Sequence, residues 1–294
     1  ESYKLKTQLG AQGSGPGEFN LMKNGVVRFT PLESLKISRE NETKMHSTDD
    51  SISEAPSELL MGFDKENDIA VFDPMGAKVH LFSMQGKFLN SISIGNPSSD
   101  FGISKDYIFF TPIMGEDDIV VLKREDGKTL KTFKSSRALN PLNADFPFPL
   151  RRMEITRNGK VFVIITDIYK ISEYSLDKGK ELSFGVKTKP IPIDEETKRL
   201  WIEKAPMLKG KIKKYYSPLA DIFMDREKGI LWVLLASEEE NGFIFDLFDE
   251  TGNYLNRVKL KDVKGNPAAV NKARMAFFDP ESLKVNIYDV SSLY

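Results

Sequence analysis

The chain has 294 residues, with 42 lysines and arginines against 43 aspartates and glutamates, two histidines and no cysteine. The lack of cysteine excludes disulfides, thiolate metal sites and cysteine nucleophiles, and a formal charge of −1 gives no electrostatic reason to expect nucleic acid as a partner. The longest apolar runs, residues 161–166 and 230–236, fall far below the roughly 20 residues that span a bilayer.

The chain begins at Glu1 without a charged and apolar leader, as expected of a processed or trimmed chain whose export signal lies outside the sequence. Residues 2–10 alternate apolar and polar and read as the last strand of a blade with nothing before it. Residues 24–38 have strand character, whereas 39–57 are poor in apolar residues and read as an exposed insertion. The stretch 20–57 is about one blade long and is expected to form a degenerate first blade, six in all, with five blades and a long excursion as the competing count.

From residue 58 onward a pattern recurs: strand, turn, strand, loop, strand, a turn built on Gly, and an alternating strand. It fits 58–94, 101–133, 151–184 and 220–260, with Gly86, Gly127, Gly179 and Gly252 in the last turns. Recurrence at this spacing predicts a propeller of four-stranded antiparallel sheets, because each sheet alone cannot bury its apolar faces. Gly229, in the tight turn between 220–225 and 230–237, is expected at positive φ. Residues 135–150 carry three prolines and are predicted to be a crossover loop. In the largest insertion, 187–219, Leu200, Trp201 and Lys204 follow an acidic start at helical spacing, which predicts a short helix. Residues 274–290 read as two strands, and pairing the first strand of the chain with them would close the ring and remove exposed edges. The expected fold is therefore all-β, one six-bladed propeller domain over residues 1–294.

Gly13-Ser14-Gly15-Pro16-Gly17-Glu18-Phe19 after an alternating strand, together with residues 69–92, resembles the NHL-type six-bladed propellers. The likeness is nearest to a bacterial group of exported six-bladed propellers in which GPGEF joins consecutive blades. That resemblance implies a binding platform or scaffold in an extracytoplasmic setting: periplasmic, lipid-anchored or secreted.

The chemistry-bearing residues give no catalytic set. The Gly13 to Gly17 segment lacks the Lys and Ser/Thr of a phosphate-binding loop and reads as a turn. His46 and His80 are too few for a His-based metal centre. No cofactor is expected. An axial calcium is the one ion that strand-end oxygens, namely Asp64, Asp73, Asp167, Asp225 and Asp279, could meet, though each also reads as a turn residue. Glu116, Asp117 and Asp118 read as a solvated turn. The candidate binding residues are Phe146, Phe148, Arg151 and Arg152 where the crossover enters a blade, and Trp201, Lys213, Tyr215 and Tyr216 in the helical insertion; Lys209, Lys211 and Lys214 lie beside them. Aromatics beside Arg and Lys suit contact with a protein or an extended polymer. The competing functions are a calcium-assisted lactonase or ester hydrolase with an axial pocket, and a structural module of a larger envelope assembly.

Overall fold

The computed structural model describes residues 11–12, 18–19, 60–63, 68–73, 77–83, 87–95, 98–104, 106–140, 144–156, 158–236, 242–279 and 284–293. Near the start, β1 (Ala11–Gln12) and β2 (Glu18–Phe19) form a short parallel pair. The first blade contains β3 (Leu60–Phe63), β4 (Asp68–Asp73), β5 (Lys78–Ser83) and β6 (Phe88–Ser93). The second contains β7 (Ser98–Ile103), β8 (Tyr107–Pro112), β9 (Gly115–Lys123) and β10 (Thr129–Leu139). The third is built from β11 (Arg151–Ile155), β12 (Val161–Ile165), β13 (Ile168–Ser175) and β14 (Gly179–Phe184). The fourth is built from β15 (Leu219–Asp225), β16 (Ile230–Leu235), β17 (Gly242–Asp249) and β18 (Tyr254–Lys261). A fifth sheet has three strands, β19 (Asn266–Asn271), β20 (Arg274–Asp279) and β21 (Lys284–Asp289). Every blade is an antiparallel meander, and the first strands of consecutive blades are neighbours.

Burial falls from the inner strands outward. Strand β12 is buried along its whole length and β16 along all but its first residue, while β14 and β18 are mostly exposed. Middle strands are covered on both faces by neighbouring blades, so they read as near-continuous apolar runs; the fourth strand lies at the periphery and keeps its polar residues. Four aromatic-rich layers fill the gaps between blades. Phe72 and Leu81 meet Phe101 and Phe110, and Val121 and Phe133 meet Met153 and Tyr174. Phe162 and Ile171 meet Ile222 and Val233, and Trp232 and Phe245 meet Met275 and Phe277. Each fully buried side chain of this size contributes about 1.5–3 kcal/mol, so the interfaces between consecutive blades carry much of the stability of the described fold.

Glycines permit the tight turns: Gly127, Gly179, Gly229 and Gly252 all have positive φ, as the turn reading requires. Gly86 lies outside the described residues.

The described residues form five blades, which corrects the expected six. The sixth is expected at residues 20–57, which lie outside the described residues. The closing strand at 2–10 lies outside them as well. In the fifth sheet, β19 was not predicted: Asn266, Pro267 and the two alanines carry little strand character, and pairing with β20 decides it. Strand β21 holds Val285 and Ile287 exposed.

Two other boundaries move. Strand β7 starts at Ser98 rather than near Phe101, because the serines are satisfied inside: Ser98 Oγ donates to Thr111 O at 2.8 Å and Ser99 Oγ to Arg151 O at 2.8 Å. Strand β10 continues to Leu139 through register shifts, so the crossover is shorter than 135–150. Glu116, Asp117 and Asp118 belong to β9, not to a solvated turn, and Asp118 is buried.

Candidate binding face at the rim of the third blade

The insertion between the third and fourth blades opens with helix α1 (Glu195–Lys204). Asp194 caps it, its carboxylate accepting from Thr197 N at 2.8 Å, and Glu195 and Glu196 sit at the positive end of the helix dipole. A 3-10 turn at Pro206–Leu208 reverses the chain. The returning segment 211–216 then runs between the crossover and residues 191–193. Phe146 N donates to Lys211 O at 2.7 Å and Lys213 N to Phe146 O at 2.8 Å on one side; Ile193 N donates to Lys214 O at 3.0 Å and Tyr216 N to Ile191 O at 2.9 Å on the other. Two insertions some sixty residues apart in sequence are thus joined by backbone hydrogen bonds.

Trp201 is the core of this unit. Buried, it stands perpendicular to Phe146 with ring centroids 4.7 Å apart and to Tyr216 at 6.1 Å, while Phe146 meets Phe148 edge-on at 5.4 Å. These contacts pack the helix onto the crossover, using the edge-to-face geometry that aromatic quadrupoles favour. Three large side chains of the unit are exposed: Phe148 at 39 %, Tyr215 at 41 % and Met207 at 74 %. Lys213 lies 3.8 Å from Asp167, which also accepts from Arg137 at 2.8 Å. Burial holds the Lys213 ammonium below the usual lysine range, and Asp167 opposes that shift.

The structure separates the predicted site residues into two groups. Phe146, Phe148, Trp201, Lys213, Tyr215 and Tyr216 come together in this unit. Arg151 and Arg152 do not share its exposed face. Arg151 is 0 % exposed; it donates to Asp118 Oδ1 at 3.0 Å and to the carbonyls of Pro112, Gly115 and Arg137. Tyr174 also donates to Asp118. Arg152 is 4 % exposed and donates to Ser99 O at 2.5 Å. Both arginines start a strand that is packed between two blades, so their charges are met by the interior.

Arg152 belongs to a second polar group near the inner strands. Counted from the paired ends of the first two strands of each blade, Asp100, Arg152 and Asp221 occupy equivalent positions in β7, β11 and β15. Asp100 accepts from Phe101 N and from Met153 N, each at 2.8 Å, so its carboxylate ties the second blade to the third. Burial pushes the Asp100 carboxyl up to about 7, with Arg152 opposing the shift. Burial, with the nearby Asp100 and Asp221 charges, pushes Glu154 up to about 8 against the opposing pull of Arg226. Sequence reading missed Asp100, Glu154 and Asp221, although a charged residue inside an inner strand was the available signal, and it placed Arg152 on the binding face instead.

Three of the strand-end aspartates, Asp73, Asp167 and Asp225, have separate partners. Asp73 lies 4.0 Å from His80 in the first blade, Asp167 sits in the rim unit, and Asp225 accepts from the backbone of Glu227, Lys228, Lys272 and Ala273, fastening the fourth blade to the fifth. Asp64 and His46 lie outside the described residues. Among the described residues no group of three or more His, Asp or Glu side chains is placed to hold a metal ion. No helix among them is long and apolar enough to cross a membrane.

No protein-family model matches the chain, the NHL-type propellers included, and no curated protein matches it. Solved structures do share its fold. A protein of unknown function from Bacteroides thetaiotaomicron is 10% identical, with 80% of this chain and 59% of that chain covered and a TM-score of 0.50. A member of the DUF4221 family from Bacteroides vulgatus is 9% identical over 76% of each chain, with a TM-score of 0.48. The hydrazine synthase of Kuenenia stuttgartiensis is 9% identical with a TM-score of 0.48; the match covers 74% of this chain but only 53% of that one. At such identities the likeness concerns the fold alone, and the chain is a β-propeller.

Proposed function

We propose that the chain is a non-enzymatic binding platform that holds a protein partner on the rim unit of its third blade. The observation that carries this reading is the joining of the crossover to the helical insertion by backbone hydrogen bonds and the Trp201 cluster, which leaves Phe148, Met207 and Tyr215 exposed on a fixed support. Rigid aromatic anchors that lose little entropy on contact are what hot spots are made of, and loops on a stiff scaffold are where recognition is placed. Phe146, Trp201 and Tyr216 support the face from beneath, while Phe148 and Tyr215 make the contact. An extracytoplasmic location is part of the proposal and rests on the family resemblance alone.

The test is cross-linked affinity capture of the tagged protein from its native extract, comparing the natural chain with Phe148→Ala/Tyr215→Ala. Loss of a stoichiometric partner at an unchanged melting temperature supports the reading. Capture that ignores both substitutions overturns it.

A further inference from the structure

The charges of the helical insertion are segregated. Residues 204–216, KAPMLKGKIKKYY, contain five lysines and no acidic residue. The preceding helix neutralises itself, with Lys198 2.6 Å from Glu195 and Arg199 3.6 Å from Glu203. In the basic segment only Lys213 faces a carboxylate; Lys204, Lys209, Lys211 and Lys214 are exposed and make no ion pair among the described residues. Lys214 lies 5.3 Å over the ring of Tyr215, which places a cation against an exposed aromatic. Residues 211–216 of the segment are also held on both sides by backbone hydrogen bonds, so the backbone that carries Lys211 and Lys214 is fixed.

We infer that the partner contacts this rim through a short acidic segment carrying an aromatic or aliphatic anchor, the acidic side chains meeting Lys209, Lys211 and Lys214 and the anchor meeting Met207, Tyr215 and Phe148. The inference rests on the platform reading and names the chemistry of its partner. A peptide fits better than a broad polyanion because the basic segment is narrow: Asp145 and Asp194 adjoin Phe146 and Ile193, the residues hydrogen-bonded to it on either side, and their charges would repel an anionic membrane or a nucleic-acid backbone laid across the rim. A short acidic peptide needs only the basic strip, and its charges would set association rate and register while the anchor supplies affinity.

The experiment is fluorescence anisotropy of the whole protein with a labelled synthetic peptide of glutamates bracketing one phenylalanine, with matched lysine-based and neutral peptides, single-stranded DNA and phosphatidylserine vesicles as competing probes. The acidic peptide is expected to bind saturably, to weaken as salt rises, and to lose about tenfold or more in affinity in Lys209→Glu/Lys211→Glu/Lys214→Glu. Tighter binding to DNA or vesicles, or acidic-peptide binding indifferent to the triple reversal, overturns the inference. If a neutral or basic peptide binds instead and Phe148→Ala/Tyr215→Ala abolishes it, the acidic assignment falls and the platform stands. If no probe binds and capture from extract ignores the rim, both fall.

Discussion

Phe146 and Phe148 on one side, and Arg151 and Arg152 a few residues on, look alike in sequence, aromatic beside basic at the entrance to a blade, yet the fold sends them in opposite directions. The phenylalanines stay on the rim, where Trp201 and the backbone of Lys211 and Lys213 receive Phe146, and Phe148 packs on the Phe146 ring. The arginines enter β11, which is packed between the second and fourth blades, and every charge there must be met by a carbonyl or carboxylate. The boundary falls where the strand begins. Composition alone does not separate a contact surface from an interior hub; position relative to the first strand of the blade does.

The hub side of this comparison should break hardest. Arg151→Met leaves Asp118 with Tyr174 as its remaining side-chain donor and takes the guanidinium from three carbonyls, and a loss of about 3–5 kcal/mol is expected in chemical denaturation, because removing one member of a buried ion pair strands the other charge. A loss under about 1 kcal/mol would show that water replaces the guanidinium.

Next comes the support of the rim. Trp201→Ala should open a cavity worth about 3 kcal/mol or more to the insertion. Limited proteolysis would then cut within 187–219 before the blades unfold, while the natural chain resists there.

The inner-strand carboxylates give a pH signature that the rim lacks. The folded-state value of Glu154, about 8, lies above its unfolded value, so its contribution to stability is fully present below the unfolded pKa, near pH 4, and is lost as pH rises through about 8. Denaturation at a series of pH values should show this fall, on the order of 1 kcal/mol per pH unit at its steepest, and Glu154→Gln should reduce it, leaving the share of Asp100, whose carboxyl is raised to about 7. A slope unchanged by the substitution would remove Glu154 as its source.

The smallest effect on stability belongs to the exposed anchors. Phe148→Ala/Tyr215→Ala should shift stability by no more than about 0.5 kcal/mol per site, as surface substitutions do, while changing binding.

Much of this was legible beforehand. The turn glycines Gly127, Gly179 and Gly252 marked the second, third and fourth blades because a positive φ is a local demand that sequence displays directly. Helix α1 was legible from Trp201 at helical spacing behind Asp194, Glu195 and Glu196. The joining of 146 to 212 was not, since contact between two insertions depends on where blades place them. Asp118 was misread because three consecutive acids resemble a solvated turn, and only the arrival of Arg151 from the next blade makes burial of one of them favourable. Strand β19 was missed because its residues take their conformation from β20.

The division between hub and rim is tested most directly by measuring melting temperature and partner capture together for Arg151→Met and Phe148→Ala/Tyr215→Ala. The account predicts a large fall in melting temperature for the first, and for the second an unchanged melting temperature with the partner lost. A stable Arg151 variant that fails to capture, or a rim variant that captures normally, would contradict it.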